Sequence, residues 1–119
     1  MANLNESMSE LMTIDGAMAV SLVDSNSGML LAQAGSGVDL EVAAAGNTEV
    51  VRAKLKTMKA LGLKDEIEDI LITLGKQYHI IRPVASKAGL FFYVVLDRAR
   101  SNLALARRKV LDVEGALKM

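Results

Sequence analysis

Cysteine and tryptophan are absent from this 119-residue chain, proline and histidine occur once each, and aromatic residues make up 3% of it. Without cysteine there are no disulfides and no thiolate metal ligands, which fits a reducing compartment. One histidine leaves no His pair for a metal ion. No serine lies in an elbow motif that could use His79 as a base, and no acid is placed by sequence to orient that ring. A charge surplus is missing too, because 14 Lys and Arg balance 14 Asp and Glu. A protein that lived on phosphate contacts would carry a positive excess. No apolar run approaches the ~20 residues of a membrane helix. Asn3, Asn5, Glu6 and Glu10 interrupt any secretory segment behind Met1. The expectation is a soluble, cytoplasmic protein with no membrane insertion.

What the chain has is apolar mass. Hydrophobic residues make up 51% of it, which argues against disorder and for a well-filled core in a single domain spanning residues 1–119. So much apolar material in a small domain is also enough to cover a subunit contact.

Apolar residues at Leu4, Met8, Leu11 and Met12 have the spacing of an amphipathic helix, which Gly16 ends. "AMAVSLVD" and "GMLLAQAG" are strand-length runs separated by Asp24-Ser25-Asn26-Ser27-Gly28, and so read as a hairpin. Asp39 is a plausible N-cap for a second helix, in which Leu40, Ala43, Ala44, Val50, Val51, Leu55, Met58 and Leu61 share a face, with Gly62 as the stop. "IEDILITLG", "YHIIRPV" and "GLFFYVVLD" are three further strands, with turns at Gly75-Lys76 and at residues 86–89. A last helix is expected over about residues 101–118. Short turns between consecutive strands make them antiparallel neighbours, and one sheet with helices on its faces buries the whole.

The most basic stretch is "LDRARSNLALARRKV", residues 96–110. On a helical wheel Leu103, Ala106, Val110, Val113 and Leu117 form the buried stripe, Arg107 flanks it, and Arg108 and Lys109 point away at different angles. Cations spread round a cylinder cannot track one phosphate backbone, and Asp112 can pair with Arg108. The arginines read as a solvated helix surface, not a nucleic-acid site. Arg52, Lys56 and Lys59 are more coherent, at i, i+4 and i+7 of the middle helix. They either complement the helix dipole or form a contact for an acidic protein surface.

"GSG" at 35–37 lacks the Gly-Lys-Ser/Thr ending of a phosphate loop, and Asp39 would put a carboxylate where an anion should sit. Glu66, Glu68 and Asp69 cluster at a strand entrance and read as a solvated edge. Nothing in these patterns supports an enzyme or a cofactor. The third strand, by contrast, has Ile70, Leu71, Ile72 and Leu74 almost consecutive and is apolar on both faces, which invites pairing if it lies at an edge. Asn47 falls within the middle helix's apolar stripe. It makes a local hydrogen bond, marks a break in helical phase, or meets a partner near a subunit interface. Strand and helix together suggest a two-fold dimer that continues the sheet.

The stretches "IDGAMAVSLVDSNSGMLLAQAG", "EDILITLGKQYHIIRPV" and "YVVLDRARSNLALARRKV", in this order and spacing, resemble the roadblock/dynein-light-chain domain family over nearly the whole chain. In the last of them Asp97 ends a strand, and Asn102-Leu103-Ala104 with Arg107 is similar to the family's final-helix start. The resemblance implies a three-layer α/β/α sandwich around a five-stranded antiparallel sheet. It implies homodimerisation through third strands, here Ile67, Asp69, Ile70, Leu71, Ile72, Thr73 and Leu74, with Asn47, Val50 and Lys54 of the middle helices side by side. It further implies a non-enzymatic regulator that binds a small Ras-like GTPase and remodels its switch regions without donating an arginine; the middle-helix surface that carries Arg52, Lys56 and Lys59 is the expected contact. The alternatives are a structural or signalling scaffold without a GTPase partner, as in dynein relatives, and a small-ligand sensor.

Overall fold

The computed structural model describes residues 3–118. Its elements are α1 (Leu4–Met12), β1 (Ala17–Asp24), β2 (Met29–Gly35), α2 (Leu40–Ala60), β3 (Ile70–Thr73), β4 (Gln77–Pro83), β5 (Leu90–Asp97), a 3₁₀ turn (Arg98–Arg100) and α3 (Leu103–Ala116). The five strands form one sheet in the order β2-β1-β5-β4-β3, every pairing antiparallel. The expected α/β architecture is the observed one.

Each helix starts where its side chains can satisfy the free N–H groups. Asn3 and Glu6 form a reciprocal capping box on α1, Asp39 accepts from Glu41 and Val42 N–H, and Asn102 accepts from Leu105 N–H. The final helix therefore begins at Leu103, later than the expected residue 101, because Asp97 first caps the 3₁₀ turn through Ala99 N–H. Glycine is required where the hairpin meets the sheet: Gly35 has φ +87°, and a Cβ there would collide with the Met18 carbonyl oxygen.

The two sheet faces carry different loads. Val20, Leu22, Ile80, Phe92, Val94 and Leu96 pack beneath α1 and α3, against Met8, Leu11, Ala106, Val110 and Val113. Each of the larger side chains among these, fully buried, contributes about 1.5–3 kcal/mol. On the other face Ala19, Val23, Ile81, Phe91, Tyr93 and Val95 meet Leu40, Ala44 and Val51 of α2. Two helices thus share one face and a single helix serves the other. That helix packs chiefly against β1 and β2.

The buried stripe of α2 differs from the expected one. Leu40, Ala44, Thr48, Val51 and Met58 are buried, while Val50, Leu55 and Leu61 are exposed. Thr48 replaces an aliphatic residue because its hydroxyl donates to the Ala44 carbonyl at 2.8 Å and so is not left unpaired on burial. In α3, Glu114 is buried among the apolar positions, which the periodicity did not foresee.

The third strand is shorter than the expected residues 67–74. Its ladder with β4 pairs Ile70 with Ile81 and Ile72 with His79. Leu74 N–H donates to the Gln77 carbonyl, so alternate pairs outward from that turn exchange hydrogen bonds. The next such pair beyond Ile70 would oppose Glu68 to Pro83, which has no N–H to give, and the ladder stops. Ile67 and Asp69 therefore lie in the α2–β3 connection, and Leu74 lies in the β3–β4 turn.

Candidate functional site

β3 is an edge strand, and its surroundings gather most of the expected interface residues. Ile70 and Ile72 pack partly against the α2-side core, while Leu71 joins the opposite cluster and Thr73 is exposed. With Ile70 and Ile72 bonded to β4, the main-chain groups of Leu71 and Thr73 point out from the sheet edge. Beside this edge Val50, Lys54 and Met58 of α2 share a groove with Ile67, Asp69 and Ile70. Val50 and Lys54 are exposed there, and Asn47 is half-buried one turn earlier on the same flank. Asn47 thus belongs to the flank and not to the centre of the buried stripe.

A polar network lies between α2 and the edge. The His79 ring bonds the Gln77 amide oxygen through Nε2 at 2.8 Å and the Tyr93 hydroxyl through Nδ1 at 3.0 Å, in a T-shaped contact with the Tyr93 ring. With Gln77 accepting, Nε2 carries the proton and Nδ1 accepts from the tyrosine. Burial pushes the Tyr93 phenol up, and the neighbouring Asn47 amide tempers that rise. Burial pulls the His79 pKa below its ordinary 6.5. In the unfolded chain the ring protonates first as pH falls, so this site's contribution is complete above pH 6.5 and is lost as pH drops toward the folded value. His79→Gln is expected to flatten the part of the melting-temperature profile below pH 6.5. Identical acid limbs for the two proteins would refute the assignment.

Asp69 is not on a solvated edge. Arg107 of α3 grips it through Nε and Nη2, both at 2.8 Å, and the bond, with the charge beside it, raises the guanidinium pKa further. The pair ties the entrance of β3 to α3. Three further cations near α3 are engaged as well. Arg108 pairs with Asp112 at 3.3 Å, Lys109 with Glu10 at 2.8 Å, and Arg98 lies over Tyr78 while donating to the Leu74 carbonyl. These charges face different neighbours, as the wheel suggested.

Arg52, Lys56 and Lys59 lie on the flank of α2 away from β3. Arg52 donates to the Asn26 carbonyl in the β1–β2 turn and pairs with Glu49 at 3.6 Å. Lys56 and Lys59 are exposed and enter none of the ion pairs among the described residues. The structure therefore separates the two expected surfaces, strand edge and basic strip, onto opposite flanks of one helix. Sequence reasoning missed Arg82 and Glu114, which meet at 3.1 Å between β4 and α3. The only signal for them was a carboxylate interrupting an apolar stripe. Among the described residues no three His, Asp or Glu side chains gather as metal ligands, and no helix is long and apolar enough to cross a membrane.

No protein-family model matches the chain, and no curated protein matches it. Solved structures do. Myxococcus xanthus MglB, 24% identical, superposes with a TM-score of 0.82 over 94% of this chain and 89% of its own. The roadblock/LC7 domain from Streptomyces avermitilis, 14% identical, gives 0.82 over 97% and 94%. The gliding protein MglB from Thermus thermophilus, 16% identical, gives 0.79 over 93% and 82%. The chain has the roadblock/LC7 fold.

Proposed function

We propose that this protein is a non-enzymatic, homodimeric regulator that binds a small Ras-like GTPase and modulates its nucleotide cycle. The observation that carries the dimer is the uneven dressing of the sheet. Two helices cover one face, whereas the single helix on the other packs chiefly on β1 and β2, away from the β3 edge. A second copy, pairing β3 to β3 about a two-fold axis, would lay its own α2 beside the first. Ile70, Ile72, Val50 and Lys54 would then be covered together, Leu71 and Thr73 would find main-chain partners, and Asn47 would sit near the seam. Ile67, Asp69 and Leu74 would extend the contact beyond the regular strand. An MglB of the same fold is described in a tetrameric arrangement, which fits surfaces of this kind.

The GTPase half of the reading rests on the sequence resemblance and on the fold shared with MglB. Paired α2 helices would present two strips of Arg52, Lys56 and Lys59 on one side of the dimer, suited to an acidic surface. Hydrolysis by a Ras-like GTPase from the same organism, measured with and without this protein, is the test. A changed rate that is lost in the Arg52→Glu/Lys56→Glu variant supports a regulator. Binding at an unchanged rate supports a platform that holds the GTPase without acting on hydrolysis. No binding in either nucleotide state would defeat the GTPase reading and leave the scaffold without a GTPase partner.

A further inference from the structure

A second groove lies on the other side of the α2–β3 connection. It holds about 460 Å³ and is lined by Val51 and Leu55 of α2 and by Pro83, Leu90 and Phe91 of the β4–β5 hairpin. Leu55 is 50% exposed there, although it belongs to the longest helix of the fold. The connection forms one lip and runs from residue 63 to 69 without a turn or bend. Along it stand Asp65, Glu66 and Glu68, all exposed and in none of the ion pairs among the described residues. The one cation within the groove, Arg82, is already held by Glu114. Between residues 64 and 69 the main chain enters no ladder and no turn bond among those described, save that Glu66 N–H donates to the Asp65 carboxylate.

We propose that this groove docks an extended segment of a partner protein that carries an apolar anchor flanked by Lys or Arg. The volume lies within the ~300–1,000 Å³ of ordinary binding clefts. Its apolar lining supplies the anchor site, and the unpaired carboxylates attract basic flanks and repel acidic ones. The straight main chain offers N–H and C=O groups along which a strand can be added. The occupant's chemistry is opposite to that suited by Arg52, Lys56 and Lys59, so α2 would separate two partners of opposite charge. This inference does not depend on the GTPase reading.

A displayed random-peptide library, panned on the intact protein, is the probe. Enriched peptides should share an apolar residue flanked by Lys or Arg, and their affinity should fall as salt rises. Glu66→Lys/Glu68→Lys should weaken them at least about tenfold. Leu55→Asp should do the same from the apolar side, with Leu55→Ala as a milder second variant if melting shows that the first is poorly folded. Arg52→Glu/Lys56→Glu should leave them bound. No enrichment, a consensus without basic flanks, or binding indifferent to Glu66, Glu68 and Leu55 would overturn the proposal. None of these results bears on nucleotide hydrolysis, so the two readings fail separately.

Discussion

Glu114→Ala is expected to destabilise the fold by about 3–5 kcal/mol, against the roughly 5–15 kcal/mol that a domain of this size holds in total. The carboxylate is 7% exposed, accepts from Arg82 Nε at 3.1 Å, and accepts from Ala85 N–H at 3.3 Å. Removing it leaves a guanidinium that is only 15% exposed without its counter-charge, and it frees a main-chain donor where β4 ends. Truncating one partner of a buried pair costs more than replacing both, because the survivor keeps its desolvation penalty. Arg82→Met/Glu114→Leu should therefore recover most of what the single change loses. Urea midpoints for the three proteins decide the matter, and the single variant should also melt about 10–20 °C lower. Equal losses for the single and double variants would show that the pair acts through shape alone.

Ile72→Lys is expected to leave the isolated chain folded and to abolish its self-association. Ile72 is half-buried in one chain and touches the α2-side core from the edge. A lysine there can bend its ammonium into water while its stem covers the same carbons. In the proposed dimer the position would be enclosed between strand edge and partner helix, where an unpaired charge costs several kcal/mol. A loss of about 3 kcal/mol raises the dissociation constant roughly 100-fold. Sedimentation over a dilution series measures this directly. A variant that dimerises as tightly as the parent, or a parent that is monomeric throughout, would remove the basis of the reading.

The elements with strong local signals were legible in the sequence. β1 has the expected bounds and Asp39 caps α2, because turn glycines and capping side chains act within a few residues. What escaped depends on distant neighbours. β3 is cut short by Pro83 on the adjacent strand, which lies beyond the reach of any window around Ile67. Asp69 looked like surface charge until Arg107, far along the chain, was folded onto it. The apolar residues of α2 were read as one stripe, yet Leu40, Ala44 and Val51 face the sheet while Val50 and Leu55 look into grooves on either side. Periodicity registers that a residue is apolar. It does not say whether the surface it will cover belongs to the same molecule.

The middle of the sheet joins the two ends of the chain. Val20 lies opposite Val94 and Ser21 opposite Tyr93, while the outer ladders are built by neighbours in sequence. On the ribosome, the first hairpin must wait for β5 to emerge before its inner flank is closed. Refolding from denaturant should accordingly be governed by this one long-range zippering step, on the millisecond-to-second scale of non-local sheets and not the microseconds of a helical bundle.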